Sequence, residues 1–385
     1  MSADPPPSSP QRAAHSGPTL PATTQEGAAS STSTPIASTQ HSARSTQHSP
    51  GHALALWWTA PRTGELRPEP LPSPGPDEVL VQAVASGISA GTEMLVYRGE
   101  VPPDLPLDLP TLAGSFRYPI KYGYASVGRV AAVGKGVRAP APGDLVFALY
   151  PHQSAYVLPA SRAVLLPPDL PPERGVFLAN LETAVNVTLD AAPRLGETVL
   201  LSGLGVVGLL VLQALRRAGV ADVIAVDALP RRRALARRLG ATLTLAPQED
   251  VVSQVLAFTD GRGADLAIEV SGAPAALGPA IEAVADESTV VVASWYGTKA
   301  APLPLGGHFH RGRVRLRSSQ VGHLDPALAP RWDYARRLAL ACRLLAELPL
   351  GDLISHRIPF AQAPTAYALL DERPADALQV VLTYA

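Results

Sequence analysis

Residues 198–208 read TVLLSGLGVVG, and residues 209–219 continue as LLVLQALRRAG. A short apolar run meets glycines at 203, 205 and 208, and the apolar spacing then changes to that of a helix. The G-x-G-x-x-G spacing says little alone, but placed between a strand and a helix it is specific for a phosphate-binding turn. Gly203 makes the tight turn, Gly205 lets the backbone approach a pyrophosphate, and Gly208 allows helix and strand to pack closely. Leu204, Val206 and Val207 fill the remaining positions of the turn, and the helix that follows presents amide donors and its dipole to the phosphates. Asp227 closes the next strand, VIAVD, roughly 20 residues further on, where a carboxylate accepts ribose hydroxyls. It would repel a 2′-phosphate, which favours NAD. Arg232, within Arg231–Arg233, leaves NADP open, because a guanidinium there neutralises that phosphate.

Outward from this turn the rhythm repeats. DVIAVD, PRRRALARRLG, DLAIEVSG, PAALGPAIEAVA and STVVVASWYG alternate near-continuous apolar strands with helices, the pattern of a parallel sheet covered on both faces. Ligands bind at the carboxyl ends of such strands. Ser271 in VSG, Trp295 in SWYG and Gln320 in SSQVG fall there and are expected to line the cofactor pocket; Trp295 and Tyr296 are either pocket walls or core aromatics.

Upstream, ALALWWTA, DEVLVQAVASGIS, YASVGRVAAVG, GDLVFALY and SAYVLPA read as short strands with Gly and Pro turns between them, a small barrel-like domain. Asp169 and the prolines after it are expected to open a helix with Leu178, Leu181, Val185 and Leu189 on one stripe, bridging two domains. Past Arg331 a long helix, the run LISHRIPF, another helix and the strand ALQVVLTY are expected to rejoin the first domain. Chains beyond about 250–300 residues usually divide, and this one has 385. The expected division is a tail over 1–50, a first domain over 51–190 completed by 325–385, and a dinucleotide-binding domain over 191–324. The tail is rich in Ser, Thr, Pro, Ala and Gln, too poor in large apolar side chains to offset its ordering entropy.

The formal net charge is −1 with no basic block, which argues against nucleic acid or an acidic membrane surface as partner. The lone Cys342, in the long helix, forms no internal disulfide and is expected to be a buried structural thiol; with no apolar run of about 18 residues, a cytoplasmic protein is expected.

The stretch KYGYASVGRVAAVGKGV, 121–137, poses a separate question. Tyr124 is either a packing aromatic or a reacting group. The landmarks PGPDEVLVQAVASGISAGTE, VGRVAAVGKGV with PGDLVF, GLGVVG, DLAIEVSG and LISHRIPF together resemble the medium-chain dehydrogenase/reductase superfamily over about residues 53–385. The resemblance implies an α/β protein: a GroES-like β-barrel catalytic domain, a Rossmann domain, a cleft between them for the nicotinamide, and a homodimer.

Zinc members of that superfamily read C-G-I-C-G-T-D and G-H-E at two ligand positions and use a cysteine or glutamate on the bridging segment as the third. Here SGISAGTE places Ser89 or Ala90 at the first, YGYASVG places Tyr124 at the histidine, and Glu182 in NLETAVN is the one match. Three protein ligands are the usual requirement, so no metal is expected, although His152, His308, His310 and His323 remain available in principle. The wording SGIS-x-GTE with GY-x-SVGRV is similar to a zinc-free branch that includes the bacteriochlorophyllide hydroxyethyl dehydrogenases of photosynthetic bacteria. That implies hydride transfer between a nicotinamide and a secondary alcohol or ketone.

Without a metal, side chains must manage the hydroxyl proton. Tyr124 is expected to hold the substrate oxygen, Thr92 to relay the proton, Glu182 to support them or act as base, and Lys121 to lower the phenol's pKa if it points inward. The bland readings stand beside these: Thr92 as a turn hydroxyl and Glu182 as a helix carboxylate paired with an arginine. Two other activities remain open, an NADPH-dependent quinone or enone reductase and a nucleotide-binding protein without catalysis.

Overall fold

A computed structural model describes residues 51–107, 111 and 114–385. The expected tail over 1–50 lies outside the described residues.

The second half is a six-stranded parallel sheet. Thr198–Ser202 lies at its centre, with Asp222–Val226 and Leu243–Leu245 on one side and Ala264–Glu269, Val284–Val292 and Arg315–Ser318 on the other. The chain leaves the central strand in opposite directions in its two halves, so a crevice opens at the carboxyl ends beside Gly203. The central strand is buried throughout, as strands covered on both faces are. Leu209, Leu210, Val211 and Leu212 on the helix Val206–Arg217 are fully buried beside it. At about 1.5–3 kcal/mol for each large apolar side chain, this burial is the main force seating the helix on the sheet.

The first half is built on a seven-stranded sheet in which Glu78–Ile88 pairs antiparallel with Ser126–Val133 on one side and with Gln379–Thr383 on the other. The last strand of the chain therefore joins the sheet begun by the first half, with Ile354–Pro359 beyond it at the edge. Ala155–Pro159 also pairs with Glu78–Ile88, folding the sheet toward a barrel. A hairpin, Gly51–Ala60 with Thr63–Leu71, flanks it; the second strand, TGELRPEPL, was not singled out in the sequence.

The bridging helix spans Leu178–Ala191 and buries Leu178, Leu181 and Val185 in the core that also holds the central strand Thr198–Ser202. It does not begin at Asp169. A separate single turn, Pro172–Gly175, precedes it and is capped by no side chain; Gly175 approaches Val127 and Leu166 so closely that a Cβ there would stand 2.9 Å from each. Cys342 is half-buried on the long helix Tyr334–Glu347, less enclosed than expected.

Candidate active site

The glycine turn has the geometry its spacing implied. Gly203 has φ +103°, and a Cβ on it would meet the Cα and N of Ser271 at 2.5 and 2.6 Å. A Cβ on Gly208 would meet the carbonyl oxygen of Gly203 at 2.0 Å, so helix and turn touch through backbone. At Gly205 the nearest atom to such a Cβ is Arg232 Nη1 at 4.0 Å, leaving the approach to the helix N-terminus open for a pyrophosphate. Asp227 accepts the Leu204 amide on Oδ2 and the Leu229 amide on Oδ1, both at 2.8 Å. Its carboxylate is thereby aimed at the turn. Arg232 Nη1 stands 3.9 Å from Asp227 Oδ2, and its Nη2 donates to the carbonyls of Pro374 and Ala377. Burial lowers the pKa of Arg232, and the neighbouring carboxylate works against that shift. These residues fit a bound dinucleotide.

Around the strand ends, Ser271 donates its amide to Glu269 Oε1 at 2.7 Å, and the hydroxyls of Ser271 and Tyr296 also donate to that carboxylate. Glu269 is fully buried and was not singled out in the sequence. Gln320 turns its side chain onto its own loop, accepting the Gly322 amide at 2.6 Å, while its carbonyl lies 3.4 Å from Asn186 Nδ2. Trp295 is 39% exposed and stacks at a tilt on Phe116, ring centroids 5.9 Å apart. It is a surface-lining aromatic rather than a core one. Phe116 continues to Tyr122 at 5.6 Å and Tyr122 to Tyr124 at 6.1 Å, an aromatic series from the parallel sheet to the first sheet.

Tyr124 stands just before the strand Ser126–Val133 and packs against core clusters of both halves of the chain. The hydroxyls of Ser89 and Thr92, at the start of the helix Thr92–Arg98, stand next to its phenol. Its pKa is pushed up to about 12, first by burial and second by the negative charge of Glu93; the two hydroxyls oppose the shift without cancelling it. The phenol is therefore a neutral hydrogen-bond donor near pH 7. The structure thus brings Tyr124, Thr92 and Ser89 into one cluster.

It does not bring Lys121 there. That ammonium donates to Glu69 at 2.7 Å and to Gln153 at 2.9 Å and lies over the Trp57 ring, so the expected lowering of the tyrosine pKa by Lys121 is replaced by a rise. Glu182 is also committed: its Oε1 accepts Arg337 Nη2 at 2.9 Å and Nε at 3.2 Å. Arg337 is almost wholly buried and donates to Asn186 at 2.6 Å as well. Among the described residues no hydrogen bond joins Glu182 to Tyr124 or Thr92, and the pairing with an arginine is the arrangement found.

Beneath the cluster lies what sequence reasoning missed. Glu93 is 1% exposed and accepts the Ser89 amide on Oε1 at 2.9 Å, with His152 Nε2 at 2.8 Å from its Oε2 and the Tyr367 hydroxyl donating to the same oxygen. His152, noted earlier only as an available metal ligand, is spent here. His308 contacts the Val284 carbonyl at 2.7 Å, and His323 contacts Gln320 at 3.1 Å. A signal for Glu93 existed in its position directly after Thr92, but its partners lie 59 and 274 residues away.

A zinc-binding dehydrogenase family model matches residues 206–338. L-threonine 3-dehydrogenase of Pyrococcus abyssi is 30% identical over 285 residues, covering 64% of this chain and 77% of that protein. The chain belongs to this alcohol dehydrogenase-like, medium-chain family, and it is an NAD(P)-dependent oxidoreductase acting on alcohols. Two solved structures share the fold: an Escherichia coli CFT073 alcohol dehydrogenase complexed with NADH, at TM-score 0.72 and 20% identity, and a zinc-binding dehydrogenase from Sinorhizobium meliloti 1021 bound to NADP, at TM-score 0.70 and 22% identity. Each matches 86% of this chain and 99% of its own. Among the described residues no helix is long and apolar enough to cross a membrane.

At the positions that the resemblance assigns to zinc, the chain has a Ser or Ala, a phenol kept neutral by burial, and a carboxylate already bound to Arg337. Zinc is held by thiolate, imidazole or carboxylate. This donor set does not fit it, and among the described residues no group of three or more His, Cys, Asp or Glu gathers elsewhere.

Proposed function

We propose that the protein transfers hydride between a nicotinamide and a secondary alcohol or ketone without catalytic zinc, in the manner of the zinc-free branch that its SGIS-x-GTE and GY-x-SVGRV wording resembles. The observation that carries this reading is the neutral Tyr124 phenol, with the Ser89 and Thr92 hydroxyls beside it, at the position where zinc members of the family it resembles place a histidine. A bound nicotinamide supplies or takes the hydride. The Tyr124 hydroxyl donates to the substrate oxygen, where negative charge builds as hydride reaches the carbonyl carbon. Thr92 passes the proton between that oxygen and its surroundings, and Glu182, fixed by Arg337, supports the bridging helix at the cleft. Lys121 has no part in this reading because Glu69 and Gln153 hold it. A division into 51–190 with 325–385, and 191–324, belongs to this reading, with these groups in the cleft between the two.

The test is turnover of secondary alcohols and ketones before and after exhaustive chelation. Unchanged rates with metal-free protein are expected. Loss of turnover that added zinc restores overturns the zinc-independent mechanism.

NAD is the proposed cofactor, on the strength of the Asp227 carboxylate at the ribose position. For Asp227→Asn, NADH affinity is expected to fall about tenfold or more, since a charged hydrogen bond contributes about 1.5–3 kcal/mol. NADPH affinity is expected to rise, because Arg232 loses its carboxylate partner and the repulsion of a 2′-phosphate goes. Fluorescence titration with the two reduced cofactors reads both changes; an unaltered preference places the ribose elsewhere.

A further inference from the structure

His152 touches every segment that carries the hydroxyl cluster. Its ring is fully buried; Nδ1 lies 2.7 Å from Ser86 Oγ and Nε2 lies 2.8 Å from Glu93 Oε2. Ser86 and Glu93 are the two ends of the segment that contains Ser89 and Thr92. One imidazole therefore ties both ends of that segment. The same ring sits against Gly123, immediately before Tyr124: a Cβ there would stand 2.7 Å from His152 Cδ2, and Gly123 has φ +141°.

The proton positions follow from the partners. A carboxylate receiving the Ser89 amide and the Tyr367 hydroxyl is an acceptor, so Nε2 carries the ring proton and donates to Glu93. Nδ1 then accepts from the Ser86 hydroxyl, and Ser86 Oγ accepts from Tyr384 Oη at 2.8 Å. Each group in the chain Tyr384, Ser86, His152, Glu93 is satisfied in one direction. A fully satisfied buried network of this kind holds its members rigidly.

We propose that His152 is a positioning residue for the reaction: through Ser86, Glu93 and Gly123 it sets the Ser89 and Thr92 hydroxyls against the Tyr124 phenol. The inference rests on the reading of Tyr124 given above. His152 touches no substrate or cofactor in this assignment and acts only through the cluster. Its loss therefore lowers kcat and leaves cofactor affinity alone, because the glycine turn and Asp227 lie in the other sheet.

The test is a double-mutant cycle in the full chain. His152→Gln removes the bridge, and Ser86→Ala, a smaller change, releases only the Nδ1 side and serves where the glutamine variant fails to fold. Both are expected to lower kcat, for His152→Gln on the order of 10- to 100-fold, as a displacement of about 1 Å at a reacting group does. NADH affinity is expected to stay at the parent value. In a Tyr124→Phe background neither substitution is expected to lower kcat further, since residues that act through one another are not additive. An equal fold-loss in both backgrounds overturns the inference, as does full kcat in folded His152→Gln or Ser86→Ala beside a slow Tyr124→Phe. Full rate in Tyr124→Phe overturns the reading of the site, and the inference with it.

Discussion

Tyr124→Phe is expected to lower kcat for ketone reduction by on the order of 10²–10³, the loss seen when one donor to a developing oxyanion is removed. The ring of Tyr124 packs against two core clusters, and phenylalanine keeps that packing. Only the hydroxyl goes, so stability and NADH affinity should hold while turnover falls. The pH behaviour separates a donor from a base. The phenol's pKa stands at about 12, above its ordinary value of 10.0, so the protonated donor persists as pH rises through 10 and is lost only near the raised value. Steady-state reduction rates should therefore show no alkaline limb from this group near pH 10. A limb there that vanishes in Tyr124→Phe means the phenol ionises normally and acts as base.

Gly203→Ala is the second large effect. The substitution places a methyl 2.5 Å from Ser271 Cα and 2.6 Å from Ser271 N, backbone atoms that cannot swing aside. It also forces an L-residue to φ +103°, where strain is about 1–2 kcal/mol. Relief requires the turn to move away from the strand end Val270–Ser271, which displaces Leu204, the amide bound to Asp227, and the helix N-terminus. Dinucleotide affinity is expected to fall at least tenfold, about 1.4 kcal/mol, with a lower melting temperature. Titration with NADH and thermal unfolding measure the two. Parent affinity in the variant removes this turn from the cofactor site.

Much of the fold was legible because it rests on local, periodic signals. The strand and helix around GLGVVG and the aspartate after the next strand follow from apolar period and from what glycine alone permits. Other parts were not. Asp169 looked like a cap, yet the first turn opens only at Pro172 without a side-chain cap, and the helix proper runs over Leu178–Ala191. Lys121 stands near Tyr124 in sequence but is drawn off by Glu69 and Gln153, a preference that no local pattern contains.

From the residues alone came the expectation of a dinucleotide turn at Gly203, Gly205 and Gly208 and of a carboxylate at Asp227 for the ribose, and, through the family resemblance, of Tyr124 at the place of a metal-binding histidine. Only the tertiary structure decided what surrounds that tyrosine. Glu93, His152, Ser86, Tyr367 and Tyr384 are brought together by strand pairing between distant segments. Burial also decided the state of Tyr124, because desolvation and the Glu93 charge keep its proton in place. Hydrogen bonds across dozens or hundreds of residues leave no period in a sequence, so the support of the site appears only once the sheet that assembles it is known.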